Sequence, residues 1–329
     1  MDDIGLERGP LSKVEVLAGG TQNILLRFDR GGQEFVLRRP PLHLRKNSND
    51  TMKREARVLE ALSGTVVPHP TFIASCDDEE VLGACFYLMA PVDGFNPANG
   101  LPPLHSSDPA IRQRMGYSYI EGMAALGAVD YKAAGLEGFG KPDGFLGRQS
   151  GRWMKQLESY AAFDEWTGFK ELPDVEKIRV WLDDHLPREF TPGIIHGDCH
   201  LANTLFAHDS GELAAFVDWE LATIGDPLID LGWVMATWAD DHTPVVGNIE
   251  PWEGFPTLDA LVAHYGKHSA RSLDAVAWYG VLACFKLGAI LEGTHARASA
   301  GKAPKETGDR LHAMTISLFD RAHRLIANN

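Results

Sequence analysis

The chain has 329 residues, of which 44% are hydrophobic and 23% charged, and its formal net charge at pH 7 is −14. This length and apolar content predict a soluble globular protein with a full core, large enough for two lobes. The acidic balance argues against a nucleic-acid partner, which would require a basic face. The four cysteines form no Cys-x-x-Cys pair, which indicates neither a disulfide framework nor a structural zinc site and fits a reducing compartment.

The N-terminal segment MDDIGLERGP is acidic and lacks the basic and then apolar pattern of a secretory signal peptide. The longest nearly apolar run, AVAWYGVLACF at residues 275–285, is too short to span a bilayer. We therefore expect a cytoplasmic protein without a membrane partner.

Short strand-like segments separated by turns dominate the N-terminal part of the chain. VEVL, ILLRF and EFVLR come first, the last two joined by a DRGGQ turn, and TFIASC and ACFYLM follow on either side of the acidic turn DDEE. Between these groups, NDTMKREARVLEAL has the periodicity of a helix that Asn49 or Asp50 could cap. The pattern predicts a small sheet with one main helix.

Glu55 lies on the apolar stripe of that helix, together with Met52 and Leu59. A carboxylate turned toward a core is costly unless it meets a cation or hydrogen-bond donors. Arg38 or Arg39 of the preceding strand is the nearest candidate partner. The alternative is that Glu55 lies at the edge of the stripe and reaches solvent.

The pattern changes after Pro91. The segment GFNPANGLPPLHSSDP is rich in glycine, proline and asparagine, as expected of a loop or a boundary. Helical periodicity then dominates as far as Leu186, apart from the glycine-rich loop GLEGFGKPDGFLG. We therefore predict two lobes, residues 1–92 and residues 93–329.

The segment IIHGDCHLANTLF, residues 194–206, concentrates polar side chains behind an apolar pair. One interpretation is the metal cage of a hydrolase, formed by His196, Asp198, Cys199 and His200. Its two histidines share a face only in a helix, yet Gly197 follows the first and the preceding GII is typical of a strand that enters a loop. No second His or Cys cluster in the sequence completes such a cage, which disfavours this interpretation.

Phosphoryl transfer explains the segment better. Asp198 and Asn203 have the spacing of the kinase catalytic loop, in which the aspartate accepts the proton of the attacking hydroxyl and the asparagine holds magnesium. The following segment, TLFAHDSGELAAFVDW, predicts a hairpin that turns at Ser210 and Gly211 and sets Asn203 opposite Asp218. Their amide and carboxylate oxygens are hard ligands suited to Mg²⁺ that bridges nucleotide phosphates.

Each of these polar residues also has a purely structural explanation. Asp218 ends an apolar strand and could cap the next turn, and His196 could be an ordinary core histidine. Asp226 precedes Pro227 and is a good helix N-cap. Asp230, one turn later, either reaches back to the backbone of the catalytic loop or compensates the helix dipole.

The segments HGDCHLAN and VDWELATIGDPLIDLGW resemble the aminoglycoside phosphotransferase and choline kinase-like family, which has a His-Gly-Asp loop, an Asn five residues after the Asp and a later metal-binding Asp. More narrowly, VLRRPP, MKREARVLEAL, CFYLMAPVDG and GRQSGRWMKQ are similar to the kinase-like domain fused to some acyl-CoA dehydrogenases. The resemblance extends from about Leu17 to Trp238.

The resemblance implies an α+β, two-lobed protein-kinase-like fold, with a small antiparallel-sheet N-lobe containing one main helix and a larger, mainly helical C-lobe. It implies Asp198 as the catalytic base, Asn203 and Asp218 as Mg²⁺ ligands, and Glu55 as the partner of a strand cation. That cation is Arg38, where protein kinases have lysine, and arginine binds phosphate as a fork rather than as a point charge.

ATP is the expected co-substrate, and two further segments are expected to contact it. The turn GGTQN would cover the phosphates with Gly19 and Gly20, although two glycines between strands equally suit an ordinary hairpin. Between the two halves, Met89–Val92 is the expected hinge that holds adenine through the Ala90 carbonyl and the Val92 amide, because the proline between them has no N–H.

The chain is thus predicted to be an enzyme, a phosphotransferase that uses ATP and Mg²⁺ to phosphorylate the hydroxyl of a small molecule. The narrower resemblance favours a hydroxyacyl-CoA or related metabolite, whose phosphates and base would suit a helical stripe of Arg148, Arg152 and Lys155 beside Trp153. That stripe could equally be a solvated helix face. The alternative acceptors are an aminoglycoside, another amino alcohol or a sugar, and the alternative class is a nucleotide-binding pseudokinase without catalysis.

Overall fold

The N-terminal part of the chain forms a five-stranded antiparallel sheet with the strand order β1-β2-β3-β5-β4. The computed structural model describes residues 5–6, 9–17, 23–163, 165–240 and 249–329. The strands of this sheet are β1 Leu11–Val16, β2 Ile24–Arg30, β3 Gln33–Arg39, β4 Phe72–Cys76 and β5 Phe86–Met89. In the predicted turn between β2 and β3, Gly31 and Gly32 have φ angles of 63° and 82°, which favour glycine.

The sheet carries apolar side chains on both faces. A small cluster of Phe28, Phe35, Leu37 and Leu88 covers one face, and the opposite face joins the main core. β1 is an edge strand that begins before the predicted VEVL segment, and all six of its residues are exposed. The acidic turn between β4 and β5 contains a short helix, α2 Glu79–Leu82.

The main helix, α1 Ser48–Leu62, packs its buried apolar stripe against β4 and β5. The predicted cap is wrong, because Asn47 occupies the N-cap position without a side-chain hydrogen bond. The Asn49 side chain instead accepts a hydrogen bond of 3.1 Å from the Cys85 amide. This bond attaches the start of α1 to the residue that precedes β5.

Helices dominate the rest of the described chain, namely α3 Pro103–Ser107, α4 Pro109–Ala128, α5 Gln149–Glu158, α6 Val175–Asp184, α7 Leu228–Thr237, α8 Leu258–His268, α9 Val276–Ser299 and α10 Lys305–Ala327. Between α6 and α7 lie two short antiparallel pairs, β6 Gly193–Ile195 with β9 Thr223–Gly225 and β7 Thr204–Phe206 with β8 Leu213–Phe216. The predicted α+β architecture, a small antiparallel sheet with one main helix followed by a larger helical part, is confirmed.

α9 is the central helix of this helical part and packs against α5, α7 and α10. Among the described residues it is the one helix long and apolar enough to cross a membrane, but 67% of its most apolar window is buried inside the fold. The backbones of α7 and α9 approach closely, since a Cβ at Gly232 would lie 2.4 Å from the Tyr279 carbonyl oxygen. This close packing fixes the position of the polar side chains that α7 carries.

We expect Gly232→Ala to lower the free energy of unfolding by about 2–3 kcal/mol, because the new methyl group would meet the α9 backbone rather than a movable side chain. Gly151→Ala on α5 is the matched control. Nothing lies within 4 Å of a Cβ there, so alanine should stabilise the helix by about 0.5–1 kcal/mol. Denaturant unfolding measures both changes, and equal effects at the two positions would contradict the close packing of α7 on α9.

Candidate active site

A buried carboxylate holds the loop that follows β6. Asp230, in the first turn of α7, accepts hydrogen bonds from the backbone amides of His196 (2.7 Å) and Gly197 (2.9 Å). Burial raises the pKa of Asp230 to about 6, while the two amides favour its charged form. Gly197 has a φ of +88°, and a Cβ there would lie 2.6 Å from the Leu221 carbonyl oxygen. The predicted reach of Asp230 back to the catalytic loop is confirmed.

His196 is a core residue. Its ring is completely buried beside Trp219, with 4.7 Å between the ring centroids, and its Nε2 lies 3.0 Å from the Val217 carbonyl oxygen. Burial lowers the pKa of His196 to about 4, so the neutral ring donates its N–H to that carbonyl. Burial also raises the pKa of Cys199, which keeps it a thiol. The ligand atoms of the four residues of the predicted cage, all in the described part of the chain, do not form a group of three or more within 4.8 Å of one another, so the metal-cage interpretation is wrong.

Asp198 presents an ionised carboxylate that is held from both sides. Trp233 Nε1 donates to Oδ1 at 3.1 Å, and Asn203 Nδ2 donates to Oδ2 at 3.0 Å. Burial by itself would raise the pKa of Asp198, but the hydrogen bond and charge of His200 hold it at about 2. The side chain keeps 29% exposure. Asp198 is thus a charged, accessible hydrogen-bond acceptor.

The β7–β8 hairpin brings Asn203 beside Asp218, one residue away from the predicted register. The Asn203 carbonyl accepts a hydrogen bond of 2.9 Å from the Val217 amide, so Asn203 faces Val217 and not Asp218. The prediction was wrong because Phe206 pairs with Leu213, which centres the turn one residue earlier than assumed. A bulge in the hairpin restores only half of that shift.

Arg38 joins the sheet, the main helix and the hairpin. Its Nε lies 2.8 Å from Glu55 Oε2, and its Nη2 lies 2.7 Å from Asp218 Oδ1. Tyr87 donates its hydroxyl to Glu55 Oε2 at 2.8 Å. Burial raises the pKa of Glu55, and Arg38 and Tyr87 oppose that shift. Because Glu55 is fully buried, its predicted pairing with Arg38 is confirmed and the solvent-edge alternative is wrong.

Asp218 has an unusual backbone and a second carboxylate beside it. Its φ of +68° is rare for a residue other than glycine and is typical of functional positions. Glu220 offers an oxygen within 4.8 Å of oxygens of Glu55 and Asp218. Burial, and then the Asp218 charge, raise the pKa of Glu220. Sequence analysis missed Glu220, although the carboxylate two positions after Asp218 is visible in the DWE segment.

The segments predicted to cover ATP are only partly described. Gly19 and Gly20 lie outside the described residues. The predicted hinge follows β5 directly, and its Ala90 amide donates to the Thr71 carbonyl oxygen at 2.9 Å. That amide is therefore occupied, and the Ala90 carbonyl and the Val92 amide stay the predicted adenine contacts.

A sequence model described as the phosphotransferase enzyme family matches residues 13–266. The chain belongs to this family. It is 29% identical to a solved Ralstonia eutropha JMP134 structure described as a candidate aminoglycoside phosphotransferase, with a TM-score of 0.79 and coverage of 97% of this chain and 94% of that one. Macrolide 2'-phosphotransferase MphH of Brachybacterium faecium shares the fold at 18% identity, with a TM-score of 0.56 over 92% and 91% of the two chains.

The chain also matches parts of longer proteins. It is 29% identical over 315 residues to acyl-CoA dehydrogenase family member 10 of Mus musculus, which covers 91% of this chain and 29% of the relative. It is 29% identical over 328 residues to family member 11 of Gallus gallus, which covers 96% and 40%. The chain thus spans less than half the length of these relatives. Family and fold together make it an ATP-dependent small-molecule kinase, and both levels of the resemblance are confirmed.

The kinase has a cavity of about 430 Å³ beside the catalytic loop. Gly197 and Trp233 line it on the side of Asp198, and Trp153, Leu282 and Ile290 contribute apolar wall. The charged residues in its lining are Arg54, Arg152, Glu220 and Lys286. An apolar site with a few convergent charges is typical of small-molecule binding.

Lys286 extends from α9 into this cavity. Its Nζ donates to the Gly197 carbonyl oxygen at 2.9 Å and lies 4.2 Å from the centre of the Trp233 ring, the side chain that donates to Asp198. Burial lowers the pKa of Lys286 to about 8, and Asp198 and Asp230 oppose that shift. Sequence analysis did not single out Lys286, because no local pattern connects it with a loop almost ninety residues earlier.

A second cavity of about 680 Å³ adjoins the first, and Arg152 lines both. The predicted basic stripe borders it, since Arg148 and Lys155 complete its charged lining. Arg148 precedes α5, and its guanidinium donates hydrogen bonds to two loop carbonyl oxygens. Arg152 and Lys155 are exposed on α5, and Arg152 lies 4.9 Å from the centre of the Trp153 ring.

We expect Arg38→Ala and Glu55→Gln each to weaken ATP binding, and the double variant to show a coupling of about 1–3 kcal/mol, because the two side chains form one buried pair. Arg39→Ala is the matched control, since its guanidinium donates to the Pro40 carbonyl instead. Calorimetric ATP titration of all variants measures the coupling, and unfolding curves separate it from stability. Additive effects on ATP affinity would show that Arg38 and Glu55 do not act together.

Proposed function

We propose that this kinase transfers the γ-phosphoryl group of ATP, with Mg²⁺, to the hydroxyl of a small acyl metabolite such as a hydroxyacyl-CoA. The observation that carries the proposal is the charge of the two adjoining cavities. Their lining contains one acidic residue, Glu220, and the basic residues Arg54, Arg148, Arg152, Lys155 and Lys286. An aminoglycoside is a polycation and would need acidic groups in this position, whereas an acyl-CoA carries phosphates that basic groups bind.

The dimensions of the two cavities support the same acceptor class. The inner cavity is largely apolar and adjoins the catalytic loop, which suits a short hydroxylated acyl chain. The outer cavity presents Arg152 and Lys155, which suit the phosphates of the CoA part. Lys286 lies between the acyl part and Asp198 and would bind a carbonyl oxygen of the acceptor.

Asp198 is the proposed catalytic base. Its carboxylate is ionised, and two donors orient it, so it can accept the proton of the acceptor hydroxyl as that oxygen attacks phosphorus. Trp233 and Asn203 position Asp198 through these hydrogen bonds. Because Asp198, Asn203 and Asp218 are all present, catalysis is favoured over a pseudokinase role.

Asp218 and Asn203 are the proposed Mg²⁺ ligands, with Glu220 as a further carboxylate beside them. Their oxygens are the hard donors that Mg²⁺ prefers, and the amide nitrogen of Asn203 is already committed to Asp198. When bound, Mg²⁺ would neutralise negative charge on the β- and γ-phosphates of ATP. Arg38, which Glu55 holds, already pairs with Asp218 and would add positive charge beside the phosphate oxygens.

The two predicted lobes, residues 1–92 and residues 93–329, would enclose the nucleotide. In this proposal the Ala90 carbonyl and the Val92 amide bind the adenine edge, and Gly19 and Gly20 cover the phosphates. A nucleotide complex with the base elsewhere, or a preference for GTP over ATP, would overturn the hinge assignment.

We expect Asp198→Asn and Asp218→Ala each to lower kcat by about two orders of magnitude or more, because one removes the proton acceptor and the other a metal ligand. Asp209→Asn, in the exposed turn of the same hairpin, should keep kcat near the wild-type value. Steady-state assays with ATP and the acceptor measure kcat, and circular dichroism checks the fold. A folded Asp198 or Asp218 variant with near wild-type turnover would remove that residue from the mechanism.

The acceptor class is tested by kcat/KM for 4-hydroxyacyl-CoAs against a kanamycin-type aminoglycoside. We expect the acyl-CoA to be the better substrate and Lys286→Met to lower its kcat/KM at least about tenfold. Lys286→Arg keeps the charge and is the matched variant, expected to retain more activity than Lys286→Met. A higher kcat/KM for the antibiotic would overturn the proposed acceptor.

The pH dependence of the same reaction isolates the Lys286 charge. Because the folded pKa of Lys286 is about 8, kcat/KM should fall as pH rises through that value, and Lys286→Met should lack this fall. Between about 8 and the ordinary value of 10.5 the unfolded chain binds more protons at this lysine, so its contribution to stability rises with pH. A loss of activity in this pH range would therefore not be explained by unfolding that follows deprotonation of Lys286.

A further inference from the structure

A second group of polar side chains lies at the opposite end of α9 from the catalytic loop. Glu171, from the 3₁₀ turn Gly168–Glu171, His295 of α9 and His312 of α10 each offer one ligand atom, and these atoms all lie within 4.8 Å of one another. We call these three residues the C-terminal triad. They come from three separate segments of the chain, so the tertiary fold brings them together.

His312 is oriented as a metal-bound histidine would be. Its Nδ1 lies 2.9 Å from Oε2 of the fully buried Glu292, whose Oε1 accepts a hydrogen bond of 2.7 Å from Trp166 Nε1. A carboxylate that accepts the Nδ1–H fixes the tautomer of the ring and leaves the Nε2 lone pair for a cation.

The spacing between His312 and Glu171 also fits a shared cation. His312 Nε2 lies 3.6 Å from Glu171 Oε2, which is longer than a hydrogen bond. Two ligands bound at about 2.1 Å to a tetrahedral ion stand roughly 3.4 Å apart. The pair is therefore spaced as two ligands of one ion are.

His295 supplies the independent observation. Its ring stacks on His312 with 4.2 Å between centroids and 23° between planes, and its Nδ1 is buried without a hydrogen-bond partner in the described part of the chain. A cation bound by the triad would supply the partner that this nitrogen lacks.

We propose that the C-terminal triad binds a divalent transition metal ion, with Zn²⁺ as the best fit. Two imidazoles and one carboxylate are the ligands that Zn²⁺ takes, whereas Mg²⁺ and Ca²⁺ prefer oxygen donors. The triad lies away from the contact between Lys286 and the catalytic loop, because His295 is nine residues along α9 from Lys286, which is about 14 Å of helix. The ion would join the 168–171 turn, α9 and α10, and so brace the helix that forms one wall of the acceptor cavity.

The structure also provides an internal control. Glu121, His264 and His268 form a second cluster of the same composition. There, however, the Arg114 guanidinium binds both oxygens of Glu121, at 2.8 and 2.7 Å, and His264 Nε2 lies 2.8 Å from Oε1. Because a cation already occupies this carboxylate, the second cluster is not expected to bind metal.

The experiment is a Zn²⁺ titration of the full chain after treatment with a chelator, without nucleotide, by calorimetry and thermal unfolding. We expect wild-type protein to bind one equivalent of Zn²⁺ at the triad and to gain about 5 °C in Tm. Glu171→Gln and His295→Ala should each lose that equivalent and that gain. His264→Ala in the second cluster should keep both.

His312→Ala leaves Glu292 buried without one of its partners, so Glu171→Gln and His295→Ala decide the result if that variant does not fold. Zinc bound at the active-site carboxylates would be retained in both of these variants, which distinguishes it from zinc bound at the triad. Equal Zn²⁺ binding in wild type, Glu171→Gln and His295→Ala, or no Zn²⁺ binding by wild type, would overturn the proposal.

Discussion

One guanidinium between two carboxylates holds the nucleotide side of this kinase together. Arg38 of β3 pairs with Glu55 of the next element, α1, and with Asp218 at the end of the β7–β8 hairpin, which is 180 residues away in sequence. Removing either Arg38 or Glu55 from their buried pair costs about 3–5 kcal/mol, because it leaves an uncompensated charge. Arg38 reaches the two carboxylates from two different nitrogens, Nε and Nη2, whereas lysine carries its three N–H groups on one nitrogen. The arginine at this position is therefore explained by its two partners.

A second set of contacts fixes the catalytic loop from the opposite side. Asp230 accepts a hydrogen bond from the Gly197 amide, and Lys286 donates one to the Gly197 carbonyl oxygen. Both backbone polar groups of Gly197 are therefore hydrogen-bonded to side chains. Both side chains lie on helices that pack closely, α7 and α9. Trp233, also on α7, donates to Asp198, so the same helix pair sets the orientation of the proposed base. Catalytic geometry here depends on helix packing as much as on the loop sequence.

Sequence reasoning succeeded where short spacings carry the chemistry. The five-residue separation of Asp198 and Asn203, the position of Glu55 on an apolar stripe and the place of Asp230 in the first turn of α7 each pointed to contacts that the structure contains. It failed where tertiary packing decides. The hairpin register was wrong because the turn is centred one residue earlier than assumed, and Lys286 reaches the site only through the packing of α9.

The net charge of the chain and the charge of its cavity lining have opposite signs, because only residues close to the cavities determine the charge that a bound molecule meets. The chain carries −14 overall, yet the charged groups that line the two cavities are mostly basic. Acidic side chains elsewhere are separated from the cavities by solvent and are screened beyond roughly one Debye length, about 8 Å at physiological ionic strength. Lys286 is buried, so salt screens its charge far less, and it acts at short range on whatever enters the inner cavity. An anionic acceptor would thus meet no long-range attraction to the protein, and its recognition would depend on the few basic groups that it touches once inside.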